Sequence, residues 1–107
     1  MEPSPEDAIK LLKEKGKEAF ETGNFLKALN LYTEAISIES ESESLYANRS
    51  FCNLKLGKLD EAMSDALKAV ALQPTWSKGH YRVGEVFWAM KNPEEAIAYY
   101  QQALELV

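Results

Sequence analysis

Small residues recur along the chain at positions 34 residues apart, between stretches of larger apolar and polar side chains. A step of this length is typical of a helix–turn–helix repeat. Three sets show the step: Ala28, Ala62 and Ala96; Ala35, Ala69 and Ala103; Gly16, Ser50 and Gly84. Small side chains let two helices approach closely, and aromatic side chains fill the space beside the crossing. The pattern therefore predicts an all-α protein made of three copies of one helical hairpin.

Turn signals divide each copy into two helices. Gly23-Asn24, Gly57-Lys58 and Asn92-Pro93 mark these turns, since glycine and asparagine end helices and proline suits their first turn. We expect helices at about residues 6–22, 25–38, 43–56, 59–72, 77–90 and 93–106. The repeats then cover about residues 9–42, 43–76 and 77–107, and the acidic residues 1–8 are expected to form a flexible lead-in.

Four serines alternate with acidic residues between Ser37 and Ser44, in the connection between the first two repeats. One interpretation is a phosphorylatable acidic patch. The other is a polar loop whose serines cap helices, which the capping preference of serine favours.

Composition and charge narrow the class of protein. A hydrophobic content of 46% excludes a disordered chain, and a net charge of −5 argues against a nucleic-acid binder that neutralises phosphates. No apolar run approaches the length needed to span a bilayer. The single cysteine, Cys52, cannot form an internal disulfide and favours a reducing compartment. We expect a cytoplasmic protein that binds neither nucleic acid nor membranes.

The residues that could carry chemistry are few. His80 is the single histidine and stands at a repeat position usually given to a large packing residue, so we expect it in the core. Cys52 lies in the middle of a predicted helix and is expected to be a small packing residue. The sequence has no phosphate-binding glycine loop and no paired metal-ligand spacing. We therefore expect no metal, no cofactor and no catalysis, and predict a binding module.

Two pairs of cations share the spacing that puts side chains on one helix face. Lys13 and Lys17 are four residues apart on the first helix, and Lys78 and Arg82 are four apart on the fifth. Asn48 lies on the third helix, between them in the stack. Cations aimed into one concavity favour an anion-binding site. The alternative is an ordinary soluble surface, in which Arg82 pairs with Glu85 one turn away.

The chain resembles the tetratricopeptide repeat family over about residues 9–107. The third repeat keeps Val83-Gly84, Phe87, Ala96, Tyr100 and Ala103; the first keeps Gly16, Ala28, Tyr32 and Ala35; the second keeps Tyr46, Ala62, Ala69 and Pro74. Departures are Ser40 for proline, and Lys15 and Arg49 for leucine. The resemblance implies a right-handed α-α superhelix whose first helices line a concave groove. It also implies a capping helix, which the sequence lacks after Val107, and we expect self-association through the uncovered last repeat.

The cations further resemble the carboxylate clamp of co-chaperone members of the family. Three segments carry the likeness: Leu12-Lys13-Glu14-Lys15-Gly16-Lys17, Leu45-Tyr46-Ala47-Asn48-Arg49-Ser50, and Trp76-Ser77-Lys78-Gly79-His80-Tyr81-Arg82. Lys13, Asn48, Lys78 and Arg82 match the clamp, whereas Lys17 stands where the family has asparagine. Lysine offers a charge and three donors but no acceptor, so specificity is expected to differ at this position.

The resemblance implies a ligand: the C-terminal tail of heat-shock protein 70 or 90, ending Glu-Glu-Val-Asp. Capture of a terminal carboxylate is a recognised mode of peptide binding. Phe51, Lys55, Tyr81 and Trp88 could line the groove further along, although inter-repeat packing is the favoured role for Phe51 and Trp88.

The sequence therefore predicts an adaptor domain that binds acidic chaperone tails. Two alternatives remain open. The first is a scaffold or self-assembly module whose apolar groove holds another helix or peptide. The second is the targeting arm of a larger enzyme.

Overall fold

The protein is described from a computed structural model that covers residues 2–107. These residues form six α-helices: α1 (Pro5–Glu21), α2 (Phe25–Ile38), α3 (Glu43–Lys55), α4 (Leu59–Leu72), α5 (Ser77–Ala89) and α6 (Pro93–Glu105). Each odd-numbered helix pairs with the helix that follows it, and α3 and α5 also pack on the preceding hairpin. The all-α prediction is confirmed, and every predicted helix boundary falls within one residue of the observed one.

The start of α1 corrects the predicted lead-in. The flexible lead-in expected at residues 1–8 overlaps the helix expected from about residue 6, and the structure favours the helix, which begins at Pro5. Ser4 caps it by accepting a hydrogen bond from the backbone nitrogen of Asp7 at 3.2 Å. Proline fits the first helical position, and the acidic residues there suit the helix dipole. Met1 lies outside the described residues.

The crossing within each hairpin is as close as the small residues predict. A Cβ atom added to Gly16 would lie 2.8 Å from the ring of Tyr32, so any side chain would clash there. The second repeat reverses the sizes: Ser50 replaces glycine and donates a hydrogen bond to the carbonyl of Ala62 at 2.8 Å. Ala66 takes the place of the tyrosine. A small residue faces a large one at the first crossing, whereas two residues of similar, small size face each other at the second. Both combinations keep the crossing densely packed.

The turns inside the hairpins share one backbone conformation. Gly23 has a φ of 78° and Gly57 a φ of 77°, values in the left-handed region that glycine adopts without steric cost. Lys91 occupies the third turn with a φ of 62°. The same pair of backbone hydrogen bonds closes the first and third turns, so the lysine is held in a conformation that suits glycine better.

A partly buried ion pair joins α3 to α4. Arg49 donates to both carboxylate oxygens of Asp65, at 2.9 and 2.7 Å, and Asn53 donates to the same carboxylate at 3.0 Å. The hydrogen bond with Asp65 raises the pKa of Arg49. Arg49 stands where leucine was expected, so a paired charge replaces an apolar contact.

The interpretations of three single residues are confirmed. His80 is buried, with Nε2 2.7 Å from the carbonyl oxygen of Pro74. Cys52 is fully buried, and burial raises the pKa of its thiol to about 11, which makes it unreactive. Ser42 caps α3 by accepting from the backbone nitrogen of Leu45 at 3.4 Å. No helix within residues 2–107 is long and apolar enough to cross a membrane.

Candidate peptide-binding groove

The first helices of the repeats, α1, α3 and α5, carry the cations and the asparagine predicted for the groove. The structure brings the residues of α3 and α5 together, because Lys78 Nζ donates to Asn48 Oδ1 at 3.4 Å. Burial, and then the positive charge of Arg82, lowers the pKa of Lys78. An anion that bound beside Lys78 would raise this pKa again, because a nearby opposite charge favours the protonated amine.

Lys13 and Lys17 lie on α1, at the other end of the stack. Lys13 Nζ lies 3.0 Å from one carboxylate oxygen of Glu39 and 3.2 Å from the other. Glu39 is the C-terminal cap of α2. Lys17 is exposed and forms no ion pair within residues 2–107. No hydrogen bond in that range joins either lysine to Asn48 or Lys78, so their membership of one site stays a prediction.

Arg82 is the most enclosed of the predicted cations. It is 9% exposed, and its Nη1 donates to Glu85 Oε1 at 2.6 Å. The pairing with Glu85, given above as an alternative to anion binding, is therefore confirmed. The guanidinium also lies over the ring of Phe51, 4.7 Å from its centroid. Two contacts thus hold Arg82 in place before any ligand is bound.

Phe51 packs between the first two repeats, as predicted. Its ring centroid lies 5.2 Å from that of Phe20 and 5.8 Å from that of Phe25. Lys55 is exposed, and its Nζ lies 5.2 Å from the Phe51 centroid. Phe51 therefore contacts the aromatic core through Phe20 and Phe25, while Lys55 and Arg82 both lie over its ring.

The inter-repeat packing predicted for Trp88 is wrong, since its side chain is 58% exposed. The neighbouring residue Phe87 packs on Tyr99, with ring centroids 5.7 Å apart. One step along a helix turns the next side chain by about 100°, so Trp88 projects away from that contact. It lines a pocket of about 380 Å³ that also contains Lys55 and Glu85.

A larger apolar groove lies beside Lys78. It has a volume of about 770 Å³, and its walls include Trp76, Tyr81, Tyr100 and Leu104. Tyr81 is 47% exposed and its ring centroid lies 5.4 Å from that of Tyr100. Its contact with a peptide stays a prediction. The groove is continuous with the charged region, because Lys78 and Tyr81 line it together.

Sequence reasoning missed Trp76, Tyr100 and Leu104 as groove residues. A signal was present for Leu104, which is 34 residues after Val70 and 68 after Ile36. Those two residues are partly buried, whereas Leu104 is 71% exposed. Comparison of the repeat positions would therefore have indicated an uncovered apolar face. No pattern in the sequence indicated the ion pair between Lys13 and Glu39.

This fold and the repeat spacing define a helical-repeat binding module, and the comparisons with known proteins give its family. Residues 5–84 match the family described as "Serine/threonine-protein kinase BSK1-like, TPR repeats", and residues 77–106 match "Tetratricopeptide repeat". The chain belongs to the tetratricopeptide repeat family.

Three similar proteins show the range of this family. Heat shock protein STI1 of Saccharomyces cerevisiae is 39% identical over 95 residues, which cover 88% of this chain and 16% of the relative. The E3 ubiquitin-protein ligase TTC3 of Mus musculus is 40% identical over 88 residues, 76% of this chain and 4% of the ligase. The first TPR of Spaghetti (RPAP3), solved with the HSP90 peptide SRMEEVD, is 33% identical with a TM-score of 0.87, covering 94% of this chain and 79% of that one.

Proposed function

We propose that the domain is an adaptor that binds acidic C-terminal peptides of heat-shock protein 70 or 90. The observation that carries the proposal is the contact of Lys78 with Asn48, made between two repeats and next to Arg82. The resemblance assigns the terminal carboxylate to these side chains of α3 and α5, and the Lys78–Asn48 contact supports that assignment. The peptide bound by the similar RPAP3 domain ends in this acidic sequence, which supports the proposal.

In this proposal Asn48 and Lys78 grip the carboxylate at one end of the clamp, with Arg82 beside them, and Lys13 and Lys17 of α1 complete it. Charge-assisted hydrogen bonds suit a carboxylate because they are about twice as strong as neutral ones. Lys55, Phe51 and Tyr81 would contact residues further up the peptide. The domain needs no cofactor or catalytic group for this function, and a cytoplasmic setting agrees with the free, buried thiol of Cys52.

The decisive experiment is a titration with the peptide Ser-Arg-Met-Glu-Glu-Val-Asp and with the same peptide amidated at its C-terminus. Isothermal calorimetry should show binding that weakens by at least about tenfold on amidation, because one charged hydrogen-bond partner is lost. Binding should also weaken as salt is added. Equal affinity for the two peptides, or no binding, would contradict the proposal.

A variant of Lys78 tests the site itself. Lys78→Met keeps the unbranched side chain and removes the charge, so it should weaken peptide binding by about 1.5–3 kcal/mol. Far-ultraviolet circular dichroism should show unchanged helicity. The matched control is Lys27→Met, on the exposed surface of α2, which should leave the affinity unchanged.

A second function is favoured by the apolar groove between Trp76 and Leu104. There a scaffold would hold an apolar helix or peptide, and binding would depend little on salt. The similarity to TTC3 also supports the targeting arm of a larger enzyme, since that ligase is far longer than the matched segment. Retention of affinity at high salt, together with loss of affinity in Tyr81→Ala, would favour the scaffold.

A further inference from the structure

One carboxylate of the chain itself already occupies the place where Arg82 would hold a ligand. Glu85 Oε1 accepts from Arg82 Nη1 at 2.6 Å, a short distance for a charged hydrogen bond. The side chains of Arg82 and Glu85 are only 10% and 17% exposed. A partly desolvated pair at this distance is tightly coupled, because solvent screens it little.

Two further features restrict the access of an anion to the guanidinium of Arg82. Its guanidinium is confined by the ring of Phe51 on one side, 4.7 Å from the ring centroid. Its Nε is buried without a hydrogen-bond partner in residues 2–107. A ligand carboxylate could therefore reach Arg82 only through the remaining N–H groups of Nη1 and Nη2, where it would compete with Glu85 for the same positive charge.

The charge of the third repeat is correspondingly small. Arg82 and Glu85 together carry no net charge, which leaves Lys78 and Lys55 as the other cations near this end of the groove. Glu85 also lines the pocket shared by Lys55, Tyr81 and Tyr100, where a peptide would place further residues. Its negative charge would repel acidic residues there.

We propose that Glu85 is a specificity-determining residue, which occupies Arg82 and limits the negative charge that the groove accepts. Ligand carboxylates are then held by Lys78 and Asn48 with the lysines of α1, and Arg82 contributes little net attraction while Glu85 is present. This inference rests on the proposed function, because it assigns a selective role within the same groove.

The test is Glu85→Gln, which removes the charge and keeps both the shape and an oxygen that accepts from Arg82. Binding of Ser-Arg-Met-Glu-Glu-Val-Asp should tighten by about tenfold, because the charge of Arg82 is no longer neutralised and its attraction for a carboxylate is comparable to one charged hydrogen bond. Its dependence on salt should become steeper. Glu34→Gln, on the exposed surface of α2, is the control for net charge and should change the affinity less than about twofold.

A double variant tests whether Arg82 is neutralised by Glu85 or binds the ligand carboxylate directly. Arg82→Met with Glu85→Gln removes the whole pair and keeps the alkyl contact with Phe51. Its affinity should stay within about threefold of the wild-type value, because a neutral pair has been replaced by neutral side chains. A loss of tenfold or more in a variant of unchanged helicity would overturn the inference.

The outcomes distinguish this inference from the proposed function. Binding by the wild-type protein, with equal or weaker binding by Glu85→Gln, would overturn the role of Glu85 and leave the peptide function intact. Absence of binding by both proteins would overturn the proposed function and the inference with it. Binding by Glu85→Gln alone would overturn the proposed function for the wild-type protein and would show that Glu85 prevents the groove from accepting this peptide.

Discussion

The first and third repeats have the same helix crossing but hold their groove cations differently. Lys13 pairs with Glu39 where the side chains are 41% and 42% exposed, so water weakens the pair. Arg82 pairs with Glu85 where the exposed fractions are 10% and 17%. Lys13 can therefore exchange Glu39 for a ligand carboxylate at little cost, whereas the separation of Arg82 from Glu85 is more costly. Equivalent backbones thus give the two ends of one groove different electrostatic properties.

The crossings themselves also differ in how much they can adjust. A Cβ on Gly16 would lie 2.8 Å from Tyr32, and one on Gly84 would lie 2.7 Å from Tyr100. Tyr32 is 3% exposed and enclosed by the core, whereas Tyr100 is partly exposed and borders the apolar groove. A Cβ on Gly84 would also lie 3.2 Å from the backbone oxygen of Ala96. The contact with the ring should nevertheless cost more in the first repeat, because Tyr100 can turn away and Tyr32 cannot.

The largest expected effect is that of Gly16→Val. Valine would overlap the ring of Tyr32, which has no space to move, and should lower the free energy of unfolding by about 3 kcal/mol. Gly84→Val should cost about 1 kcal/mol less, because Tyr100 can turn toward solvent. Urea denaturation of both variants measures the difference. A larger loss for Gly84→Val than for Gly16→Val would contradict this account of the crossings.

The crossings show how far the sequence could predict the fold. The positions of Ala28, Ala62 and Ala96 fix where the helices meet, and these residues are fully buried. Helix bounds followed because the same 34-residue step places each turn. The different packing of the second repeat is also visible in the sequence. Where the other repeats pair glycine with tyrosine, the second pairs Ser50 with Ala66.

The site was less predictable because its contacts are not periodic. The spacing of Arg82 and Glu85 indicates a possible pair, but its burial depends on Phe51, which belongs to another repeat. The contact of Lys13 with Glu39 depends on the backbone at the end of α2, which no residue pattern specifies. Trp88 is exposed because Phe87, and not Trp88, packs on Tyr99, and the sequence does not show which of these two adjacent aromatic residues faces the core.

A smaller effect is expected at the turn of the third repeat. Lys91→Gly should raise the free energy of unfolding by about 0.5–1 kcal/mol, because a left-handed conformation is strained for lysine. The first two repeats already have glycine there, at Gly23 and Gly57. Gly57→Lys is the reciprocal control and should lower the stability by a similar amount. If Lys91→Gly were destabilising, other contacts of the lysine would have to outweigh the backbone strain.

The smallest effect should come from the exposed pair of the first repeat. Glu39→Gln removes the partner of Lys13, and because such surface pairs are weak it should change the free energy of unfolding by less than about 0.5 kcal/mol. Peptide affinity should rise by no more than about threefold, since Lys13 is already accessible to a ligand in the wild-type protein. Calorimetry of Glu39→Gln beside Glu85→Gln makes the comparison direct. A gain for Glu39→Gln equal to that for Glu85→Gln would show that burial does not distinguish the two pairs, and that the groove responds only to its total charge.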